Sequence, residues 1–141
     1  MGGGVFGSQV NYLLDTHVLL WWFGTEPRLS AQQRRILRSA NADRPVWVSE
    51  ISLWEIATLL ELGRIRLRLP LREWLEQATA PPLVQRIGIT PPIAAEVAAL
   101  PATFHRDPAD RILVATAKVL GAGLLTRDER IISAGLVPTV S

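Results

Sequence analysis

Short apolar runs alternating with helix-patterned segments constrain this chain more than any other feature. Residues 10–14, 46–48, 83–89 and 124–126 read as strands, and each stretch between them carries helix punctuation. A helix over 18–23 stops near Gly24-Thr25-Glu26-Pro27. Ser30 caps a second helix through about Ser39, with Arg34, Arg35 and Arg38 wet and Ile36 and Leu37 inward. Ser49 starts a third, which runs to Leu62 and stops at Gly63. A short helix over 71–80 closes at Pro81-Pro82, and Pro91-Pro92 opens another over 93–100. After a loop at 103–106, a helix runs from Pro108 to about Leu120, bracketed by Gly121 and Gly123. A short helix over 128–134 and a stub strand over 137–140 finish the chain. Arg64 to Leu69 alternates Arg-Ile-Arg-Leu-Arg-Leu, the pattern of an edge hairpin or an extended connector with one wet face. Strands alternating with helices call for an α/β fold with a mostly parallel sheet covered on both faces. No repeat or linker divides the chain, so residues 10–141 are expected to form one domain behind a flexible leader at 1–9.

Four acids stand where a strand or loop hands over to a helix. They are Asp15 in Leu14-Asp15-Thr16-His17, Glu55 in Ser52-Leu53-Trp54-Glu55, Asp110 in Asp107-Pro108-Ala109-Asp110, and Asp128 in Thr126-Arg127-Asp128-Glu129. The chain has five Asp in all, so three of them serve in this set. In parallel sheets ligands bind beyond the carboxyl ends of the strands, and one mouth of the sheet could hold all four acids. Each adjoins apolar sequence, where an unpaired carboxylate is costly to bury. A shared divalent cation would remove that cost from all four.

Each acid also has a local explanation. Asp15 could cap the helix that follows it. Ser52-x-x-Glu55 spells a capping box, yet Ser49 is the better start and puts Glu55 beyond the first turn, on a stripe with Ile51, Ser52, Leu59 and Leu62. Asp107 before Pro108 is good helix-start chemistry and needs no further role. Asp110 shares a face with Leu113, Val114 and Ala117, which points it inward. Thr126-x-x-Glu129 would form a capping box that leaves Asp128 over. Each local account works singly; together they demand four coincidences at one end of one sheet.

Composition narrows the chemistry. There is no cysteine, and His17 and His105 are the only histidines, which excludes thiolate catalysis and makes an imidazole-based zinc site a poor fit. The formal charge is +2 while the pI is about 9.9, because all but one (Lys118) of the 15 basic residues are Arg. Such usage suits phosphate contact and equally well reflects base composition. No stretch reaches the ~18 to 20 apolar residues of a membrane span, and the start lacks secretory features, so a cytoplasmic protein with no membrane partner is expected.

The segments Leu14-Asp15-Thr16-His17-Val18-Leu19-Leu20-Trp21-Trp22, Val48-Ser49-Glu50-Ile51-Ser52-Leu53-Trp54-Glu55-Ile56, Asp107-Pro108-Ala109-Asp110-Arg111-Ile112-Leu113-Val114-Ala115-Thr116-Ala117 and Leu125-Thr126-Arg127-Asp128 resemble, in this order, the PIN-domain ribonucleases of the VapC type. The resemblance covers residues 10–140. It implies a three-layer α/β/α sandwich and metal-dependent cleavage of single-stranded or loop RNA. It also implies a homodimer and a small VapB-like antitoxin, through which alone any DNA would be contacted. The family's acidic positions fall on Asp15, Glu55, Asp110 and Asp128. Many relatives carry Asn or Ser where this chain has His17.

Hard oxygen ligands without thiolates suit Mg²⁺, with Mn²⁺ able to substitute. Such an ion would neutralise the acids and stabilise charge on a scissile phosphate. Asp15 and Asp110 are the expected direct ligands, with Glu55 and Asp128 acting through water. Thr16, Ser49 and Thr126 are expected to hydrogen-bond the ligand carboxylates. Arg106, Arg111, Arg127 and Arg130 flank the acids as candidates for RNA phosphates. The five tryptophans fit a core, or an apolar groove for a partner around Trp21, Trp22 and Leu53, better than base stacking. His105 reads as an ordinary loop residue. Two rivals remain: a non-catalytic RNA-binding module, and a phosphoaspartate or receiver-type domain, for which Lys118 is a poor basic helper.

Overall fold

The computed structural model describes residues 10–24 and 28–141; the expected leader at 1–9 lies outside the described residues. Five strands, β1 (Tyr12–Leu14), β2 (Val46–Ser49), β3 (Val84–Ile87), β4 (Gly123–Leu125) and β5 (Thr139–Val140), form one sheet in the order β3-β2-β1-β4-β5. Every neighbouring pair is parallel, with Leu14 opposite Val48 on one side and Leu125 on the other. Among the described residues, seven helices connect them: α1 (Thr16–Phe23), α2 (Ala31–Arg38), α3 (Glu50–Glu61), α4 (Leu71–Ala78), α5 (Pro91–Ala99), α6 (Pro108–Leu120) and α7 (Glu129–Ala134). The chain adds β2 and β3 on one side of β1, then β4 and β5 on the other. The strand order therefore reverses between β1 and β4, which opens a crevice at their carboxyl ends.

Successive strand residues point to opposite faces, and the central strands are apolar on both. Leu14, Val46, Val48 and Leu125 face a core completed by Val18 and Leu19 of α1, Leu37 of α2, Ile56 of α3 and Trp74 of α4. Leu13 and Leu124 face a second core with Leu113, Val114 and Ala117 of α6, Ile131 of α7, and Phe104. Fully burying each such leucine contributes about 1.5–3 kcal/mol. The result is the expected three-layer α/β/α sandwich.

Helix ends follow the chemistry of their termini. Ser30 Oγ accepts from Gln33 N, and the Ser30 amide donates to Gln33 Oε1, a complete capping box. Gln33 is also fully buried, and its Nε2 donates to the carbonyls of Thr126 (3.2 Å) and Val140 (2.8 Å). Ser49 caps α3 by accepting from Ile51 N, and Gly63 (φ 72°) takes the left-handed conformation just past its end. The Arg64–Leu69 alternation is a connector, not a hairpin. Ile65, Leu67 and Leu69 pack on the first core while Arg64, Arg66 and Arg68 stay exposed. The strand expected over 83–89 is ladder-paired only at Val84–Ile87, and the one expected over 137–140 only at Thr139–Val140.

Candidate active site

Asp15 follows β1 and caps α1, with Oδ1 accepting from Thr16 N at 2.7 Å. Its other oxygen receives the Thr126 hydroxyl at 2.6 Å, from the residue just after β4. That bond crosses the crevice where the strand order reverses. Thr126 Oγ1 also accepts from Asp128 N at 3.0 Å. On the other side, the Thr16 hydroxyl bonds Glu55 Oε1 and lies 2.8 Å from Ser52 Oγ. Thr16 has one proton and the carboxylate takes it, so Ser52 supplies the proton of the second contact. Arg130 Nη2 donates to both Asp128 Oδ2 (3.2 Å) and Asp110 Oδ2 (3.4 Å). The four acids thus lie on one hydrogen-bonded circuit, running Glu55, Thr16, Asp15, Thr126, Asp128, Arg130, Asp110.

Burial and like charge set the electrostatics. Asp15 is pushed above the ordinary carboxylate value mainly by burial, against its bond from Thr126, and the charge of Asp110 pushes it the same way. Burial likewise raises Glu55, opposed by the Thr16 bond and aided by Asp15 and Asp107. Asp110 is raised by burial, opposed by its bond to His105 and aided by Asp107 and Asp128. Asp128 is also pushed up by burial, but hydrogen bonds and charge from Arg130 prevail and hold it low. Three of the four carboxyls are therefore held above their ordinary value, each partly by another acid nearby.

The structure separates Asp107 from Asp110 as the spacing implied. Asp107 caps α6 and accepts from Asp110 N at 3.1 Å, while Asp110 is buried one turn in. Several expectations are corrected. Asp128, not Thr126, caps α7, accepting from Arg130 N at 2.8 Å, and Thr126 instead turns its hydroxyl to Asp15. Ser49 caps α3 and makes no bond to any of the four acids. Arg111 is no candidate for an RNA phosphate: it is buried, and it donates to the carbonyls of Phe104, His105 and Val97. Arg130 is committed to two of the acids, and Arg127 donates to Arg28 O while its surface stays exposed. Arg106 is exposed.

His105 is the residue that sequence reasoning missed. Its Nε2 lies 2.7 Å from Asp110 Oδ2, its ring packs on Phe104 at 4.4 Å, and Arg111 grips its carbonyl. The only advance signal was a histidine five residues before a candidate ligand, which no helical or strand periodicity marks.

All the donors gathered here are carboxylate and hydroxyl oxygens with one imidazole, a set suited to a hard divalent cation. The raised carboxyls are the second point of fit, because a cation would offset the burial that mainly raises them and the repulsion that adds to it. Among the described residues, no three His, Asp or Glu side chains are gathered tightly enough to hold an ion by themselves. A cation here would take its remaining ligands from water.

The comparisons with known proteins agree with this fold. The family model described as PIN domain matches residues 12–135. The chain is 41% identical over 119 residues to Ribonuclease VapC22 of Mycobacterium tuberculosis (strain ATCC 25618 / H37Rv), covering 84% of this chain and 88% of that one. Among solved structures, VapBC2 from Rickettsia felis, bound to a DNA fragment from its promoter, superposes with a TM-score of 0.69 at 12% identity. It covers 93% of this chain and 98% of that one. FitAcB from Neisseria gonorrhoeae superposes with a TM-score of 0.65 at 22% identity, covering 92% and 96%. With the family model spanning β1 to β4 and all seven described helices, the protein belongs to the PIN-domain family.

Proposed function

We propose that this protein is an endoribonuclease that uses a divalent cation, Mg²⁺ with Mn²⁺ able to substitute, and serves as the toxin of a toxin–antitoxin pair. The observation that carries the reading is the circuit of four acids at the strand-order reversal, three of them raised by burial and mutual charge. The 41% identity to a protein named as a ribonuclease supports the choice of substrate. A complex with an antitoxin is supported by fold neighbours such as the toxin–antitoxin complex from Klebsiella pneumoniae. Among the described residues no helix is long and apolar enough to cross a membrane, in keeping with action on cytoplasmic RNA.

Asp15 and Asp110 would hold the cation, with Glu55 and Asp128 reached through water. When bound, the cation supplies positive charge that offsets the acids and stabilises charge building on the scissile phosphate. Thr126 fixes Asp15 by donating to Oδ2, while His105 and Arg130 fix Asp110. Thr16 engages Glu55 Oε1, so Oε2 is the oxygen available to orient an attacking water. A raised Glu55 is also a better proton acceptor near neutral pH than an ordinary glutamate. The test is cleavage of an unstructured RNA by the purified chain, in chelator and after cation is restored. Cleavage should appear only with cation and should vanish in Asp15→Asn. Cleavage at the wild-type rate by Asp15→Asn would place the chemistry elsewhere.

A further inference from the structure

A cavity of about 340 Å³ lies between the 101–105 loop and α7. Phe104 and Leu136 of its lining belong with the second core, so it sits across the sheet from α1. Two other lining side chains also touch the acid circuit. His105 Nε2 lies 2.7 Å from Asp110 Oδ2, and Arg130 Nη2 donates to the same oxygen at 3.4 Å. The cavity is therefore one side chain away from an expected cation ligand. Its polar groups are open. His105 meets the acids through Nε2, and Arg130 through Nε and Nη2, so His105 Nδ1 and Arg130 Nη1 have no partner among the described residues. The exposed hydroxyls of Thr103 and Ser133 complete the lining, and neither makes a hydrogen bond among those residues. The apolar part is Leu136 with the Phe104 and His105 rings, whose centroids are 4.4 Å apart. No carboxylate lines the cavity among the described residues.

We propose that this cavity seats the base of a nucleotide next to the cut, so that it sets which base the protein prefers beside the scissile bond. The proposal rests on the ribonuclease reading and gives that reading a source of sequence preference. The volume is near the lower end of the roughly 300–1,000 Å³ range of small-ligand pockets, room for one nucleoside and not for a run of strand. A base has flat apolar faces and an edge that mixes donors with acceptors. The cavity offers the matching set: rings and Leu136 for the faces, two hydroxyls that both donate and accept, and an open imidazole nitrogen and guanidinium N–H for the edge. Unpaired RNA bases are read in this manner, splayed out against rings and hydrogen-bonded along their edges. A phosphate would find a single cation here. An apolar side chain from a protein partner would leave four polar groups facing it unpaired. With the scissile phosphate at the acids, the base of an adjoining nucleotide is the part of the substrate one side chain away.

The test uses the full chain with Mn²⁺ and a single-stranded RNA pool of randomised sequence, whose cut ends are sequenced. The wild type should show a base preference at one position beside the cut. Thr103→Val combined with Ser133→Ala removes both hydroxyls from exposed positions, so the melting temperature should hold. The preference at that position should fall at least about tenfold, the effect of two hydrogen bonds, while preferences at other positions persist. A second arm measures binding in chelator, where the RNA is not cut, by anisotropy of a fluorescein-labelled oligonucleotide with and without an abasic site at that position. Removing the base should weaken binding to the wild type at least about fivefold. Ser133→Trp, which fills the cavity, should bind both oligonucleotides alike. An unchanged preference in the double variant would overturn the proposal, as would an equal penalty for the abasic site in wild type and Ser133→Trp. So would a double variant that keeps its base preference and instead escapes capture by its antitoxin, which would assign the cavity to a protein segment. The ribonuclease reading fails separately, if the wild-type chain with cation leaves RNA uncut, and the chelator arm then still shows whether the cavity holds a base.

Discussion

Replacing Asp15 by Asn should leave the metal-free protein at least as stable as the wild type near neutral pH, although it weakens two short hydrogen bonds. Asp15 accepts from Thr16 N at 2.7 Å and from the Thr126 hydroxyl at 2.6 Å. Exchanging a charge-assisted bond for a neutral one loses about 1 kcal/mol, so the pair loses about 2 kcal/mol. Thr126 is also disturbed, since its oxygen already accepts from Asp128 N and would now face an N–H from the Asn amide. If those bonds decided the matter, the melting temperature of a domain this size would drop by about 8 °C. Against them stand burial and the nearby Asp110 carboxylate, which raise the Asp15 carboxyl above its ordinary value of 3.8 even with both bonds in place. The surroundings therefore favour an uncharged group at this position, and Asn is always uncharged. The sign of the pH dependence follows. A carboxyl raised on folding lends stability fully below 3.8, and that stability is lost as pH rises through the folded-state value. Thermal melts in chelator should thus show wild-type stability declining as pH rises through this window, and a smaller decline in Asp15→Asn. Adding Mn²⁺ should raise the wild-type melting temperature and leave that of the variant nearly unmoved. A fall of about 8 °C in Asp15→Asn near neutral pH in chelator would refute the reasoning, because the hydrogen bonds would then outweigh burial and repulsion.

Asp107→Asn should barely change Mn²⁺ affinity in calorimetric titration, because Asn also caps well and the Asp110 N bond survives, whereas Asp110→Asn should weaken it sharply. The reverse ranking would move the ligand to Asp107. Arg111→Met should destabilise the fold by at least about 2 kcal/mol in urea unfolding, since the carbonyls of Phe104, His105 and Val97 lose their buried donor; an unchanged midpoint would mean the clamp is dispensable. Expression of the wild type without its antitoxin should arrest growth, and Asp110→Ala should relieve the arrest; harmless accumulation of folded wild type would sink the toxin assignment.

Features written in a few adjacent residues were legible in advance. The Ser30, Ser49 and Asp107-Pro108 helix starts, the Gly63 stop and the parallel α/β layout all depend on local backbone chemistry or on hydropathy that repeats along one segment. Asp110 could be told from Asp107 because helical spacing places it with Leu113, Val114 and Ala117. Features decided by which distant partner arrives first were not. Arg111 looked like a surface cation because its carbonyl acceptors lie in a loop and on α5, and only the folded chain brings them to it. His105 gained its partner through a loop shape that no period encodes. Thr126 could have capped α7, but Asp15, 111 residues away in sequence, competes for its hydroxyl and wins. Strand lengths were overstated at 83–89 and 137–140 because apolar sequence continues past the point where a neighbouring strand is available to pair.

The buried Gln33 amide makes the carboxyl edge of the sheet depend on a helix remote in sequence. The last strand is paired over only two residues, short enough to fray on its own. Gln33 reaches across its end, donating to Val140 O and to Thr126 O, while Thr126 N donates to the same Val140 carbonyl at 3.1 Å. Opening of this seam would release the backbone of the residue whose hydroxyl steadies Asp15. Amide hydrogen exchange at Thr126 should then report on α2 as much as on the sheet, and Gln33→Leu should speed it while sparing the amides of β1 and β2. The site would therefore lose its order by melting inward from the end of the chain, well before the central strands let go.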